Sequence, residues 1–163
     1  MQDIDDFVAR FQACTLRKEE WTHHAHLVVG LWHVDRVGAE DALVRLRGGI
    51  RRLNESFGGA NTATSGYHET ITAAYVTLLA QFLDRRKHGE SLADLVARLL
   101  DGPLAAKDIL LVFYSSERLM STEARTTWVE PDRAPLQIAA SGGLPPRGDE
   151  LTGWGSGTTT AQG

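Results

Sequence analysis

Apolar side chains recur every three or four positions through most of this chain, which is the spacing of one buried face of an α-helix. The two longest periodic segments run from Thr22 to Val37 and from Ala39 to Phe57. Gly38 lies between them and is a natural stop, because glycine readily adopts the backbone conformation that ends a helix. The complete pattern predicts helices over residues 3–13, 22–37, 39–57, about 68–84, 91–100 and 122–128.

Two segments are harder to interpret. Periodicity does not say whether the apolar run Ile109 to Phe113 is a buried helix or a strand, but helices are predicted on both sides and no partner strand is in view, so we interpret 107–114 as helical. Gly48 and Gly49 interrupt the third helix, which indicates either close packing against a neighbour or a break into two shorter helices. The fold class predicted is all-α, a single small helical bundle.

The composition changes after Leu136. The remaining residues are dominated by Gly, Pro, Ser and Thr and contain too few apolar side chains to order themselves. We therefore predict a helical domain over residues 1–136 and a disordered C-terminal tail over 137–163. A chain that ends at Leu136 is expected to keep its melting temperature.

Charge and cysteine content narrow the function classes. The 163 residues suit one domain, and a net charge of −4 argues against a nucleic-acid-binding surface. No apolar run is long enough to span a membrane, and the acidic N-terminus does not resemble a secretory signal. Cys14 is the single cysteine, which excludes an intrachain disulfide and fits a cytoplasmic protein. The oligomeric state is left open.

Four of the six histidines fall within residues 20–33. On a helix that begins at Thr22, His23 points at the core, His26 and His33 border that face, and His24 meets water. Gly30 removes a side chain beside them and leaves room for an ion or a small molecule.

A second histidine opens the fourth helix, where Thr64 or Ser65 is the expected N-cap. If the starts of the two helices lie side by side, His23, His26 and His68 converge. Three imidazoles and a carboxylate such as Glu69 suit a divalent transition metal, zinc or iron, with an open coordination position. In this hypothesis Glu69 is a fourth ligand or general base, with Tyr67 the second catalytic candidate.

Two other interpretations stay open. His23 and His68 are equally typical of hydrogen-bonded core histidines. Alternatively, His68 with Glu69, or His23 with Tyr75, forms an acid–base pair without a metal. Two arginines are candidates for binding the carboxylate or phosphate of a substrate: Arg118 and Arg125. Ion pairing with nearby glutamates is the commoner use of such arginines.

Three stretches are more distinctive than the rest: WTHHAHL at 21–27, GYHET at 66–70 and WVEPD at 128–132. Together they resemble stretches of a set of small bacterial helical proteins of uncharacterised activity, over about residues 5–136. The resemblance implies no residue roles. It favours the histidines within the motifs over His33 and His88.

The function predicted from the sequence is a small cytoplasmic metal-dependent enzyme that acts on a small-molecule substrate. His23, His26 and His68 are the expected ligands, and a metal-bound water is the expected reactive group. The alternative is a non-catalytic helical binding module with structural histidines.

Overall fold

The computed structural model describes residues 3–146, and all the regular structure in that range is helical. The predicted all-α fold is confirmed. The α-helices are α1 (Ile4–Gln12), α2 (His23–Ser56), α3 (Glu69–Leu83), α4 (Leu92–Asp101), α5 (Ser116–Leu119) and α6 (Thr122–Thr126). Short 3-10 helices span Lys18–Glu20, Pro103–Ala105 and Ile109–Val112.

The long helix α2 contains the two predicted helices in one element. Gly38 has φ +80° and ψ 168°, so the backbone leaves the helical conformation there and resumes it at once. The helix continues through Gly48 and Gly49, which decides between the two interpretations of that pair. A Cβ at Gly49 would lie 2.7 Å from Cζ of Phe11, so the glycine permits close packing of α1 on α2.

The packing of α2 against α3 forms the centre of the core. Gly30 leaves space for a side chain of α3, because a Cβ there would be 2.8 Å from Cδ1 of Leu79. The N-cap of α3 is His68 and not Thr64 or Ser65, since the Ile71 N–H donates to the His68 ring. An imidazole nitrogen is thus the N-cap acceptor that was predicted to be a hydroxyl oxygen.

The chain beyond α4 wraps around the start of α3. Thr70 is buried there; its hydroxyl donates to the carbonyl of Thr127 at 2.8 Å and accepts from the N–H of Val129 at 3.1 Å. The ambiguous run Ile109–Val112 forms a 3-10 helix that packs on the same core. These contacts hold the last third of the described chain against the start of α3.

Residues 137–146 belong to the described part of the chain, although the sequence places them in the tail. Ile138 is buried, and its backbone N–H donates to Oε1 of Gln81 at 2.8 Å. Arg85 donates to the carbonyls of Ile138 and Ala139. This segment therefore packs against α3. The rest of the predicted tail, 147–163, lies outside the described residues.

Among the described helices, none combines the length and the apolar character that crossing a membrane requires.

Candidate functional site

A cavity of about 680 Å³ lies between α2 and α3, beside the 3-10 turn at 109–112. We call it the α2–α3 cavity. Its walls are mainly apolar and include Leu27, Ile50, Ile71, Val76, Leu79 and Leu110. Its polar lining includes His23, His26, Thr72, Tyr75, Lys107 and Asp108. A volume of this size falls within the usual range for small-molecule sites.

His23 is the first residue of α2 and is half-buried. Its Nε2 lies 3.1 Å from the carbonyl oxygen of Ala105. A carbonyl only accepts hydrogen bonds, so Nε2 must carry a proton. Burial lowers the pKa of His23, and the neutral ring then leaves Nδ1 as a bare acceptor. Nε2 of His23 therefore has a structural hydrogen bond, whereas Nδ1 has no hydrogen-bond partner among the described residues.

Tyr75 stands next to His23 on the facing helix. The centroids of the two rings are 6.0 Å apart in an edge-to-face arrangement. Burial, together with the negative charge of Asp108, raises the pKa of Tyr75 to about 12. Its hydroxyl is accordingly protonated near neutral pH. The structure thus brings together the His23 and Tyr75 pair that was one of the sequence-based alternatives.

His26 lines the same cavity but is held differently. Its Nδ1 donates to the carbonyl of Thr22 at 2.6 Å, and its ring centroid lies 3.9 Å from that of Trp21. The residue keeps an exposed surface, yet the surrounding protein atoms lower the pKa of His26. Trp21 also lines the cavity and stacks on Phe11 at 5.0 Å, so this wall is rigid and aromatic.

Lys107 and Asp108 also border the cavity, and no sequence pattern predicted their place there. Both are exposed and precede the 3-10 turn. The apolar run that follows them was interpreted as helical only from its neighbours along the chain, because it has no distinct apolar face, so its position relative to α3 was not predictable. Their adjacent opposite charges give the mouth of the cavity no strong preference for either sign of charge.

His68 does not line the α2–α3 cavity, and both of its ring nitrogens are occupied. Nδ1 accepts from the Ile71 N–H at 3.2 Å, and Nε2 donates to the carbonyl of Leu119 at 2.9 Å. Burial lowers the pKa of His68 and favours the neutral ring that this pairing requires. The geometry is that of a structural histidine that caps α3 and ties it to α5.

Glu69 and Tyr67, the two catalytic candidates, lie together, and their partner is an arginine. Nε of Arg47 donates to Glu69 Oε2 at 3.0 Å, Nη2 of the same arginine donates to Oε1 at 2.5 Å, and the Tyr67 hydroxyl donates to Oε2 at 2.8 Å. The Arg47 guanidinium lowers the pKa of Glu69 more than desolvation raises it. Burial raises the pKa of Tyr67. The cluster joins the second half of α2 to α3, and neither Glu69 nor Tyr67 lines the cavity.

The two arginines proposed for substrate binding both donate to backbone carbonyls. Nε of Arg118 donates to Glu130 at 2.5 Å, and Nη1 of Arg125 donates to Gly66 at 2.7 Å. Neither side chain lines the α2–α3 cavity. Both hold loops around the start of α3.

The predicted metal ligands are only partly brought together. His23 and His26 share a cavity, whereas His68 does not line it. Within residues 3–146, no group of three or more His, Cys, Asp or Glu side chains is arranged to hold a metal ion. A site with all three histidines would require His68 to give up one of its two hydrogen bonds. The three-histidine metal centre stays a prediction.

No protein-family model matches this chain, and neither the curated proteins nor the solved structures include one significantly similar to it. The geometry of the α2–α3 cavity is therefore the basis for inferring a function.

Proposed function

We propose that this protein binds a small, largely apolar molecule in the α2–α3 cavity. The observation that carries the proposal is an apolar cavity of about 680 Å³ with a polar edge at His23 and Tyr75. Protein interiors are normally packed with few voids larger than a water molecule. A large apolar cavity with a few convergent polar groups is the usual form of a ligand site.

The polar edge also supports an enzymatic form of this proposal. A neutral imidazole with an open nitrogen is the form that acts as a general base, and a protonated phenol is a proton donor. His23 and Tyr75 present these two groups from facing helices. Binding is the core of the proposal, and turnover by this pair is an extension of it that a substrate screen tests.

A dye that fluoresces in apolar surroundings tests the binding proposal. N-phenyl-1-naphthylamine should bind the unmodified protein at a saturable site with one dye per chain. Ile71→Trp places an indole inside the cavity, so we expect the affinity to fall roughly tenfold or more, equivalent to about 1.4 kcal/mol.

Val44→Trp is the matched control, because Val44 is 58% exposed and does not line the cavity. This variant should bind the dye as the unmodified protein does. The proposal is wrong if the unmodified protein shows no saturable fluorescence increase. It is also wrong if Ile71→Trp and Val44→Trp bind the dye equally well.

A metal-dependent enzyme is the second candidate. It is favoured by one observation: His23 Nδ1 and His26 Nε2 make no hydrogen bond within the described residues, and both rings line the cavity. A zinc or iron ion would need further ligands, such as water or the substrate. Elemental analysis of protein purified without a histidine tag should find near-stoichiometric metal, which His23→Ala removes. Metal-free protein whose melting temperature does not respond to zinc or iron salts contradicts this candidate.

The remaining sequence-based expectations belong to the same proposal. They are a cytoplasmic location, supported by the single Cys14, and a small-molecule rather than a nucleic-acid partner, supported by the net charge of −4.

A further inference from the structure

The polar edge of the α2–α3 cavity offers one hydrogen-bond acceptor beside one donor. The acceptor is His23 Nδ1, because Ala105 fixes the proton on Nε2. Within the described residues, Arg85 Nη1 is the one buried polar side-chain atom without a hydrogen-bond partner. Nδ1 of His23 makes no hydrogen bond to a described residue. Because it is not among the buried atoms that lack a partner, it is accessible to solvent and can accept a hydrogen bond from a ligand.

The donor is the hydroxyl of Tyr75. It makes no hydrogen bond to any described residue. It is not a buried atom without a partner either, so it too is accessible to solvent. Both residues line the cavity and their ring centroids are 6.0 Å apart, so the two polar groups belong to the same part of its wall.

An alcohol hydroxyl satisfies both positions at once, since it donates one hydrogen bond and accepts others. An ether or ketone oxygen can accept from Tyr75 but leaves His23 Nδ1 unpaired. A carboxylate presents only acceptors to the Nδ1 lone pair and loses its hydration in apolar walls. Lys107 could offset that charge, but Asp108 next to it cancels most of the benefit.

We propose that the α2–α3 cavity is specific for an apolar molecule that carries an un-ionised hydroxyl group, which donates to His23 Nδ1 and accepts from the Tyr75 hydroxyl. This inference rests on the proposed binding function and adds the chemical class of the ligand. The apolar body of the alcohol contacts Ile71, Leu79 and neighbouring side chains.

Three ligands of similar size test this specificity by displacing bound N-phenyl-1-naphthylamine. They are 1-decanol, its ether isomer 1-methoxynonane, and decanoate. We expect 1-decanol to bind roughly tenfold more tightly than 1-methoxynonane, because one net hydrogen bond contributes about a factor of ten. Decanoate should bind more weakly than 1-decanol at neutral pH.

Two pairs of variants locate the effect. His23→Phe removes the acceptor and should abolish the preference for alcohol over ether, whereas His24→Phe, at an exposed position outside this cavity, should keep it. Tyr75→Phe removes only the donor and should weaken 1-decanol by roughly five- to tenfold. Tyr114→Phe should not, because the Tyr114 hydroxyl is committed to the carbonyl of Val129.

The outcomes separate this inference from the binding proposal. Dye binding with equal affinity for alcohol and ether overturns the specificity and leaves the binding site intact. Tightest binding by decanoate overturns it in favour of an anionic ligand. An unchanged affinity for 1-decanol in Tyr75→Phe also overturns it, even if His23→Phe fails to fold. Absence of dye binding overturns both proposals.

Discussion

The imidazoles of His23, His33 and His68 are each hydrogen-bonded to a backbone carbonyl, and that bond decides where the ring proton sits. His33 uses Nδ1 to reach the carbonyl of Val29, four residues before it in α2. The remaining nitrogen of each ring then determines its chemistry. In His68 this nitrogen caps α3, whereas in His23 it makes no hydrogen bond to a described residue.

A pH dependence of stability follows from these rings. Burial lowers the pKa of His23, His26, His33 and His68 below the ordinary value of 6.5. The unfolded chain therefore binds more protons than the folded one as pH falls through 6.5, and the free energy of unfolding must fall with it. We expect this loss to begin near pH 7. Denaturant titrations at a series of pH values measure it.

His68→Asn isolates one contribution, because asparagine can cap α3 through its side-chain oxygen without titrating. The loss of unfolding free energy between pH 7.5 and 5.5 should be smaller in this variant than in the unmodified protein. Glu69 does not interfere in this window, since its pKa lies below 4.5 and its stabilisation is lost only at lower pH. Identical profiles for the variant and the unmodified protein contradict the assignment of His68.

Sequence reasoning at this scale found the relevant residues but not their partners. Helical geometry placed His23 inward and His24 outward, and the structure agrees. It could not supply Ala105 or Leu119, because those carbonyls lie on turns far along the chain whose positions depend on the whole fold. The carboxylate of Glu69 was similarly identified without Arg47, its partner from α2.

At the scale of helices, glycine sets how closely the elements approach. Gly49 admits the ring of Phe11, and Gly30 admits Leu79. Gly38 allows α2 to change direction at the point where the pattern predicted a stop. The periodic pattern located these helices well because each has one continuous apolar face. Periodicity alone could not identify 109–112 as helical, because every residue there is apolar and no face is distinguished, but the helical interpretation of 107–114 agrees with the 3-10 helix at Ile109–Val112.

Removal of residues after Leu136 should destabilise the domain, which reverses the sequence-based expectation. The truncation removes the buried side chain of Ile138 and exposes the surface on which it packs. It also removes the hydrogen bonds that the Ile138 backbone makes with Gln81 and Arg85. We expect the free energy of unfolding to fall by about 2–3 kcal/mol, from one buried aliphatic side chain and its hydrogen bonds.

A chain that ends at Pro146 is the matched control, because it retains every packed residue of this segment. The chain that ends at Leu136 should unfold at a lower urea concentration than this chain. Equal stability for the chains ending at Leu136 and at Pro146 would show that the segment 137–146 contributes nothing to the fold.

For the molecule as a whole, the sequence predicted room for an ion or a small molecule beside Gly30 but not the size or the other walls of the α2–α3 cavity. Residues from five separate stretches line it, including Trp21, Ile50, Tyr75, Asp108 and Met120. Helix periodicity fixes which face of each helix is apolar, but it does not say where facing side chains leave space. The sequence therefore predicted the histidines of a site and not the extent of the apolar cavity beside them.

Intermolecular nuclear Overhauser effects between bound N-phenyl-1-naphthylamine and the protein's methyl groups test the central claim most directly. If the cavity is the binding site, the ring protons of the dye should show contacts to methyl groups of Leu27, Ile71 and Leu79. They should show none to Ile4 or Val28, which line a smaller groove between α1 and α2. Contacts confined to Ile4 and Val28, or no intermolecular contacts at saturating dye, would contradict a ligand site between α2 and α3.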